Sequence, residues 1–148
     1  MEVLSLFDGI STGRLALQKA NVLVENYAAF EINPFAIEVS KKNWLDIEHY
    51  GDVTKNDFKD FIGYDLLIGG SPCQSLSSAN VYLKDGEYGV EGTGKSRLFW
   101  EYVRAMKIVK PKFFLFENVA SMAKKDREII TKELGVKPVK INSLIFSA

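Results

Sequence analysis

Short apolar runs separated by polar segments are the feature that most constrains the fold of this chain. Predicted strands cover residues 3–7, 24–30, 47–50, 65–68 and 113–116, of which 3–7 and 113–116 are the most apolar, and each is followed by a glycine or an acidic residue. Several of the intervening segments carry apolar residues at helical spacing. Strands that alternate with helices predict an α/β protein with a doubly wound, mainly parallel sheet, for which we expect the strand order 3-2-1-4-5.

The helices between these strands have recognisable beginnings. Asn33 and Pro34 have the chemistry of an N-cap and a first helical position, so a helix is expected to start there and to run to about Asn43. Helices are also predicted over residues 14–20, 54–61, 96–110 and 123–134, with a last strand over 139–146. Residues 75–95 are polar and rich in glycine, and we interpret them as a long mobile loop with a functional role.

Composition limits the class of protein. A chain of 148 residues that is 47% hydrophobic and 26% charged is typical of one globular domain, here spanning residues 1–148. The 19 basic and 19 acidic residues give a net charge of zero, so affinity for nucleic acid must come from local patches or from a partner. The best candidates for phosphate contacts are Lys84, Lys95 and Arg97, which lie beside the long loop.

The cysteine count and the apolar runs bear on the cellular compartment. The single cysteine excludes an internal disulfide and suits a reducing compartment. No apolar run approaches the length of a membrane span, and no basic segment precedes the first apolar run. We therefore expect a cytoplasmic protein without a membrane partner, associated with the nucleoid if the source is bacterial or phage. No group of residues has metal-ligand spacing, so no metal is expected.

A glycine-containing loop and two acidic residues indicate a cofactor site. The loop over residues 8–13 joins the first strand to a helix and holds Gly9 and Gly13, which is only part of a dinucleotide-binding pattern. Glu31 and Asp52 end the next two strands, where acids can accept hydrogen bonds from a ribose or an adenine amine; alternatively, each caps the helix that follows. The missing third glycine and the lack of a basic loop residue disfavour a pyrophosphate, so S-adenosylmethionine fits better than NAD.

A lone thiol and a carboxyl group follow two further strands. Cys73 comes shortly after Gly69 and Gly70, between Pro72 and Gln74, in a setting too polar for a core cysteine. Glu117 comes directly after the run over residues 113–116 and alternatively only terminates that strand. In the expected strand order these two strands are neighbours, so we predict that Cys73 and Glu117 face one cleft as nucleophile and acid.

Three ordered motifs carry a family resemblance. They are Phe7-Asp8-Gly9-Ile10-Ser11-Thr12-Gly13, Gly70-Ser71-Pro72-Cys73-Gln74 and Glu117-Asn118-Val119. This combination resembles the cytosine-5 DNA methyltransferases from residue 3 to the last residue. Glu91-Gly92-Thr93-Gly94 and Arg97-Leu98-Phe99 are most similar to the branch that contains the animal de novo enzymes and related bacterial and phage enzymes. The resemblance implies the Rossmann-like fold of the S-adenosylmethionine-dependent methyltransferases.

The resemblance also implies a reaction and a set of roles. Cys73 attacks C6 of a flipped cytosine in DNA, Glu117 holds the base at N3, and C5 takes the methyl group from S-adenosylmethionine. The implied cofactor contacts are Phe7, Asp8, Gly9, Ile10, Thr12, Gly13, Glu31, Ile32, Asp52 and Val53. The implied substrate contacts are Ser71, Pro72, Gln74 and Asn118, with Asn118 mainly ordering the strand end.

The sequence departs from the family pattern after residue 148. It stops before the Gln-x-Arg motif, the target-recognition region and the final strand, so we expect an incomplete catalytic domain whose sheet is truncated. An incomplete gene, one half of a split enzyme and a regulatory relative remain alternative explanations; in the second, a partner chain supplies the missing motifs. RNA is an alternative substrate, because a group of tRNA cytosine-5 methyltransferases shares the Pro-Cys and Glu-Asn-Val motifs. A non-catalytic subunit is a further alternative.

Overall fold

The strands form one parallel sheet. The computed structural model describes residues 1–76, 86–142 and 144, and all the strands below lie within those ranges. They are β1 (Glu2–Leu6), β2 (Asn26–Phe30), β3 (Ile47–His49), β4 (Leu66–Gly69) and β5 (Phe113–Phe116). Their order is β3-β2-β1-β4-β5 with every neighbouring pair parallel, which confirms the predicted order and fold class. The carboxyl ends of all these strands therefore meet at one edge of the sheet.

The helices begin and end where side-chain chemistry requires it. They are α1 (Thr12–Lys19), α2 (Pro34–Asn43), α3 (Phe99–Val109) and α4 (Lys124–Leu134). The predicted N-cap of α2 is confirmed, because the side chain of Asn33 accepts hydrogen bonds from the amides of Phe35 at 3.0 Å and Ala36 at 3.4 Å. At the C-terminal end of α4, Gly135 adopts the left-handed conformation, with a φ of 73°, and ends the helix.

The core lies on both faces of the sheet. Leu4 and Leu6 of β1 belong to a buried cluster that includes side chains of α3 and α4. Val3, which precedes Leu4 in β1, belongs to a second cluster, and Leu17 of α1 packs against that cluster. This alternation places successive β1 side chains on opposite faces, as expected for a strand covered on both sides. Both clusters anchor the strand ends that carry the predicted site.

The helix predicted over residues 54–61 is wrong. The structure has two short 3₁₀ helices there, Val53–Lys55 and Lys59–Phe61, separated by Phe58 with a left-handed φ of 60°. The cause is local: side chains of Asp52, Asn56 and Asp57 accept hydrogen bonds from backbone amides two residues later. Such bonds compete with helical ones, so the segment folds as successive turns.

The prediction of a last strand needs correction, whereas the described residues 86–94 of the predicted loop lie in no strand or helix. Residues 139–142 and 144 form no strand, and the side chains of Val139 and Ile141 are exposed; residues 143 and 145–148 lie outside the described ranges. The loop prediction for residues 77–85, together with the phosphate-contact prediction for Lys84, likewise lies outside the described residues. Where a helix from residue 96 was predicted, a 3₁₀ helix (Lys95–Leu98) leads into α3.

A buried tyrosine ties α3 to the site-bearing strands. The hydroxyl of Tyr102 lies 3.2 Å from the carbonyl oxygen of Leu67 in β4 and 3.1 Å from that of Leu115 in β5. Tyr102 is fully buried, and this burial raises the pKa of its phenol far above the ordinary value, so the hydroxyl stays a donor.

Tyr102→Phe is expected to lower the free energy of unfolding by about 1–2 kcal/mol, because water cannot replace the lost donor. Urea unfolding checks this. Tyr50→Phe is the matched control, since the Tyr50 hydroxyl donates to Glu48 at 2.7 Å at an exposed position; it should cost less than about 0.5 kcal/mol. Equal losses in both variants would contradict the prediction.

Candidate active site

The loop after β1 makes a tight turn with unusual backbone angles. Phe7, Gly9 and Ser11 have φ values of 58°, 60° and 64°, all in the left-handed region. Glycine adopts this conformation freely, whereas Phe7 and Ser11 each pay about 1 kcal/mol or more for it. Strained residues of this kind persist only where surrounding contacts hold them. The loop is therefore fixed by its neighbours rather than by its own preferences.

Asp8 supplies those contacts from inside the protein. Its buried carboxylate accepts hydrogen bonds from the hydroxyls of Ser5 at 2.5 Å and Tyr27 at 2.7 Å, and from that of Ser11. Ser11 is also hydrogen-bonded to Ser40 of α2 at 2.6 Å. The Asp8 side chain, predicted as a cofactor contact, thus faces the interior, because three hydroxyls on β1, β2 and the loop surround it. It joins β1, β2 and the first helix into one unit.

Glu31 links the ends of β1 and β2. Its Oε2 atom accepts a hydrogen bond from the amide of Gly9 at 2.9 Å, and Oε1 accepts from the amides of Ile32 and Asn33, each at 2.8 Å. A carboxylate has about four acceptor positions, so Oε2 retains the capacity for another donor. This half-buried carboxylate sits where the sequence predicts a ribose contact.

A cleft of about 280 Å³ opens along the carboxyl ends of the strands. Its lining contains predicted cofactor residues and predicted substrate residues together: Phe7, Glu31, Ile32, Asp52, Val53, Pro72 and Gln74. Sequence analysis missed four further lining residues: Phe30, Gly51, Lys95 and Leu98. Phe30 and Gly51 directly precede the two acids, so their position beside those acids was a usable signal. Lys95 was identified only as a candidate for phosphate contact.

Asp52 caps the turn that follows β3 and also lines the cleft. Its Oδ1 atom accepts hydrogen bonds from the amide of Thr54 at 2.9 Å and from the Thr54 hydroxyl at 2.8 Å, as in an N-cap. These bonds, the amide first, lower the pKa of Asp52 below its ordinary value, with a smaller contribution from Lys55. The carboxylate also lines the cleft, where it stays ionised at neutral pH and can accept a donor.

The other predicted cofactor residues do not line this cleft. Ile10 is half exposed, and Thr12 is the exposed first residue of α1. Gly13 packs on the sheet: a methyl group added there would lie 2.6 Å from Cδ1 of Ile68 and 3.2 Å from the Tyr27 hydroxyl. This glycine therefore allows α1 to approach β4 and β2 closely.

The segment after β4 carries Cys73, which is not itself among the residues that line the cleft. Cys73 is half-buried between Pro72 and Gln74, both of which line the cleft. Ser71 is buried, and its carbonyl oxygen accepts a hydrogen bond from the side-chain amide of Asn118 at 3.0 Å. Since Asn118 follows β5, this bond fastens the ends of β4 and β5 together. Ser71 and Asn118 thus contact each other at the strand ends.

Glu117 stands beside the glycines that end β4. Its amide donates to the carbonyl of Gly69 at 3.0 Å, which continues the parallel ladder by one residue. A methyl group in place of a hydrogen on Gly70 would lie 3.0 Å from the Glu117 carboxylate oxygen Oε2. The exposed Glu117 side chain and the segment that carries Cys73 therefore leave adjacent strands at the same edge of the sheet.

The described ranges contain neither a metal-ligand cluster nor a membrane-spanning helix. Residues 1–76, 86–142 and 144 contain no group of three His, Cys, Asp or Glu side chains arranged to hold a metal ion. In the same ranges no helix has the length and apolar character that crossing a membrane requires.

Comparison with known proteins gives concordant matches. The family model described as C-5 cytosine-specific DNA methylase matches residues 1–141. The type II methyltransferase M.NgoBV of Neisseria gonorrhoeae is 37% identical over 139 residues, which are 91% of this chain and 31% of that protein. The orphan methyltransferase M.SPRI of Bacillus phage SPR is 38% identical over 129 residues, covering 86% of this chain and 28% of that protein.

A solved structure agrees with these sequence matches. The crystal structure of the S. pombe Dnmt2 methyltransferase superimposes with a TM-score of 0.61 and 25% identity, over 90% of this chain and 39% of that one. The chain spans about 31% of the length of the Neisseria gonorrhoeae relative. The sheet is accordingly the Rossmann-like sheet of S-adenosylmethionine-dependent methyltransferases, and the chain belongs to the C-5 cytosine-specific DNA methylase family.

Proposed function

We propose that this chain carries the cofactor site and the nucleophile of a DNA cytosine-5 methyltransferase that uses S-adenosylmethionine. The observation that carries the proposal is the composition of the cleft, because Glu31 and Asp52 line it together with Pro72 and Gln74, the neighbours of Cys73 on each side. A methyl donor and a base bound in this cleft would meet at the carboxyl edge of β1 and β4.

The side chains of the cleft fit an adenosine-containing donor without phosphates. The Glu31 carboxylate can accept a hydrogen bond from a ribose hydroxyl, and the Asp52 carboxylate can accept one from an adenine amine. Phe7, Ile32 and Val53 supply apolar surface for the adenine ring. Bound there, S-adenosylmethionine would supply an electrophilic methyl group.

The proposed mechanism uses Cys73 and Glu117 on a cytosine flipped out of the duplex. The Cys73 thiolate forms a bond to C6, and the electron pair of the C5–C6 double bond becomes available at C5. Glu117 holds the base at N3 and offsets the charge that develops on the ring. C5 would then form a bond to the methyl carbon while the methyl–sulfur bond of the donor breaks, with S-adenosylhomocysteine as the leaving group. Loss of the C5 proton to a base and release of the thiolate from C6 restore the aromatic ring.

We propose that a second polypeptide segment takes part in the complete reaction. The relatives named above are about three times as long as the matched region, and their remaining length is available for target recognition. We therefore expect negligible sequence-specific methylation of duplex DNA by the 148-residue chain on its own. Robust turnover by the purified chain on duplex DNA would contradict this.

Covalent trapping tests the proposed function. We expect the chain to bind S-adenosylmethionine in a titration and, with a partner polypeptide present that completes the reaction, to form a covalent adduct with an oligodeoxynucleotide that contains 5-fluorocytosine, because fluorine at C5 cannot be lost as a proton is after methyl transfer. A matched oligoribonucleotide serves as the second arm. An adduct with RNA alone would replace DNA by RNA as the substrate. Absence of any adduct even with that partner present would indicate a non-catalytic subunit instead.

A further inference from the structure

One buried hydroxyl bridges the backbone on both sides of Cys73. The Oγ atom of Ser96 donates to the carbonyl oxygen of Pro72 at 2.8 Å and accepts a hydrogen bond from the amide of Ser75 at 3.0 Å. Ser96 is 0% exposed, so water has no access to take over either bond. Cys73 and Gln74 are the two residues held between these attachment points.

The bridge is anchored to the sheet through α3. Ser96 lies in the 3₁₀ helix Lys95–Leu98, which leads directly into α3. Phe99 and Tyr102 of α3 are fully buried, and the Tyr102 hydroxyl contacts carbonyl oxygens of β4 and β5. The position of Ser96 is therefore determined by the same two strands that carry the proposed catalytic residues.

A second set of contacts holds Ser75 from the opposite side. The carbonyl oxygen of Ser75 accepts a hydrogen bond from the amide of Gly89 at 2.8 Å. The next residue, Val90, is fully buried; its amide donates to Asp126 at 2.9 Å and its carbonyl accepts from the indole of Trp100 at 2.9 Å. Ser75 is thus held at its amide by Ser96 and at its carbonyl by Gly89, whose neighbour Val90 is itself held by two hydrogen bonds.

We propose that Ser96 is a positioning residue for the nucleophile. Its hydroxyl fixes the backbone at Pro72 and Ser75 and so holds Cys73 between Pro72 and Gln74, which line the cleft. This inference rests on the proposed role of Cys73 as nucleophile. Without the hydroxyl, the carbonyl of half-buried Pro72 and the buried amide of Ser75 each lose a partner, which favours opening of the segment between them.

The single cysteine gives a direct test on the chain as it exists. Alkylation by iodoacetamide, followed by intact-mass spectrometry, reports on Cys73 alone. In Ser96→Ala we expect the alkylation rate to rise about tenfold, because a half-buried thiol reacts mainly through local opening. The affinity for S-adenosylmethionine should stay within about twofold of the unsubstituted chain, since Ser96 is absent from the cleft lining. Ser96→Thr, which keeps the hydroxyl, should restore the slow rate.

Ser40→Ala is the matched control for this experiment. Ser40 is also fully buried, but its hydroxyl is hydrogen-bonded to Ser11 at 2.6 Å and lies 3.3 Å from Nε2 of His49, away from β4 and β5. The alkylation rate of Ser40→Ala should match that of the unsubstituted chain. If Cys73 were alkylated faster in both Ser96→Ala and Ser40→Ala, the cause would be a general loss of stability. That result would overturn a positioning role for Ser96. An unchanged rate in folded Ser96→Ala would overturn it as well.

Hydrogen exchange keeps the inference testable if Ser96→Ala fails to fold. In the unsubstituted chain the amide of Ser75 should exchange at least about tenfold more slowly than the same amide in an unstructured peptide, because the buried hydroxyl of Ser96 accepts its hydrogen bond. Fast exchange at Ser75 would overturn the proposal. Neither measurement requires methyl transfer, so missing adducts would count against the proposed function alone.

Discussion

Cys73→Ser is expected to abolish the covalent adduct with 5-fluorocytosine, lowering its rate of formation by at least about 10³-fold. The serine hydroxyl is nearly isosteric with the thiol, but it remains protonated at neutral pH and is a much weaker nucleophile without a dedicated base. The measurement is the time course of a mass shift in denaturing electrophoresis and intact-mass spectrometry. Because the sequence holds no other cysteine, an adduct through a second thiol is excluded.

Cofactor binding provides the control for that substitution. Cys73→Ser changes one atom at a half-buried position, so the affinity for S-adenosylmethionine should stay within about twofold of the unsubstituted chain. Glu117→Gln is a useful companion variant, because it keeps hydrogen-bonding capacity at the strand end and removes the charge. It should slow the adduct by about 10²-fold. An adduct that forms at the original rate in Cys73→Ser would refute the assignment of the nucleophile.

Asp8→Ala is expected to have the largest effect on stability, lowering the free energy of unfolding by about 3 kcal/mol. The substitution removes the acceptor shared by the hydroxyls of Ser5, Ser11 and Tyr27 in a buried position. The left-handed conformations of Phe7 and Ser11 then lose the contacts that hold them. Urea unfolding followed by tryptophan fluorescence measures the loss, and the slope of the transition should stay unchanged.

The same variant should also weaken the binding of S-adenosylmethionine by about tenfold in the folded fraction, since the loop after β1 shapes one wall of the cleft. Asp8→Asn is the matched control. The asparagine side chain keeps one oxygen acceptor for these hydroxyls. The free energy of unfolding should therefore fall by about half as much as in Asp8→Ala. An Asp8→Ala chain as stable as the original would show that the interior hydroxyls satisfy one another without the carboxylate.

The parts of the fold that the sequence could predict are those with local causes. Asn33 and Pro34 define the start of α2 by their own side-chain chemistry, and the apolar runs define the strands because β1 and its neighbours are covered on both faces. Local competition also explains the failure at residues 54–61, where Asp52, Asn56 and Asp57 bind backbone amides instead of permitting a helix. The turn-forming residues were visible, but their combined effect on the backbone was not.

The parts of the site that escaped prediction depend on contacts across the sequence. Ser96 is 21 residues from Ser75, and Asp126 is 36 residues from Val90, so no spacing rule connects either pair. The inward orientation of Asp8 depends on Tyr27 and Ser40, which lie on other elements. Motif resemblance marked the loop that holds Asp8 as a binding element, but only the packing distinguishes a side chain that touches a ligand from one that holds the loop.

The hydrogen bonds that shape the site divide between two pairs of strands, and this division affects how the protein can change. Asp8 and Glu31 fasten β1 to β2, whereas Asn118 and Tyr102 fasten β4 to β5. Substitutions that reshape the nucleophile side can therefore accumulate without loosening the acids on the other side. In a lineage built on this sheet, the ends of β4 and β5 could therefore diverge while the contacts of Asp8 and Glu31 persist.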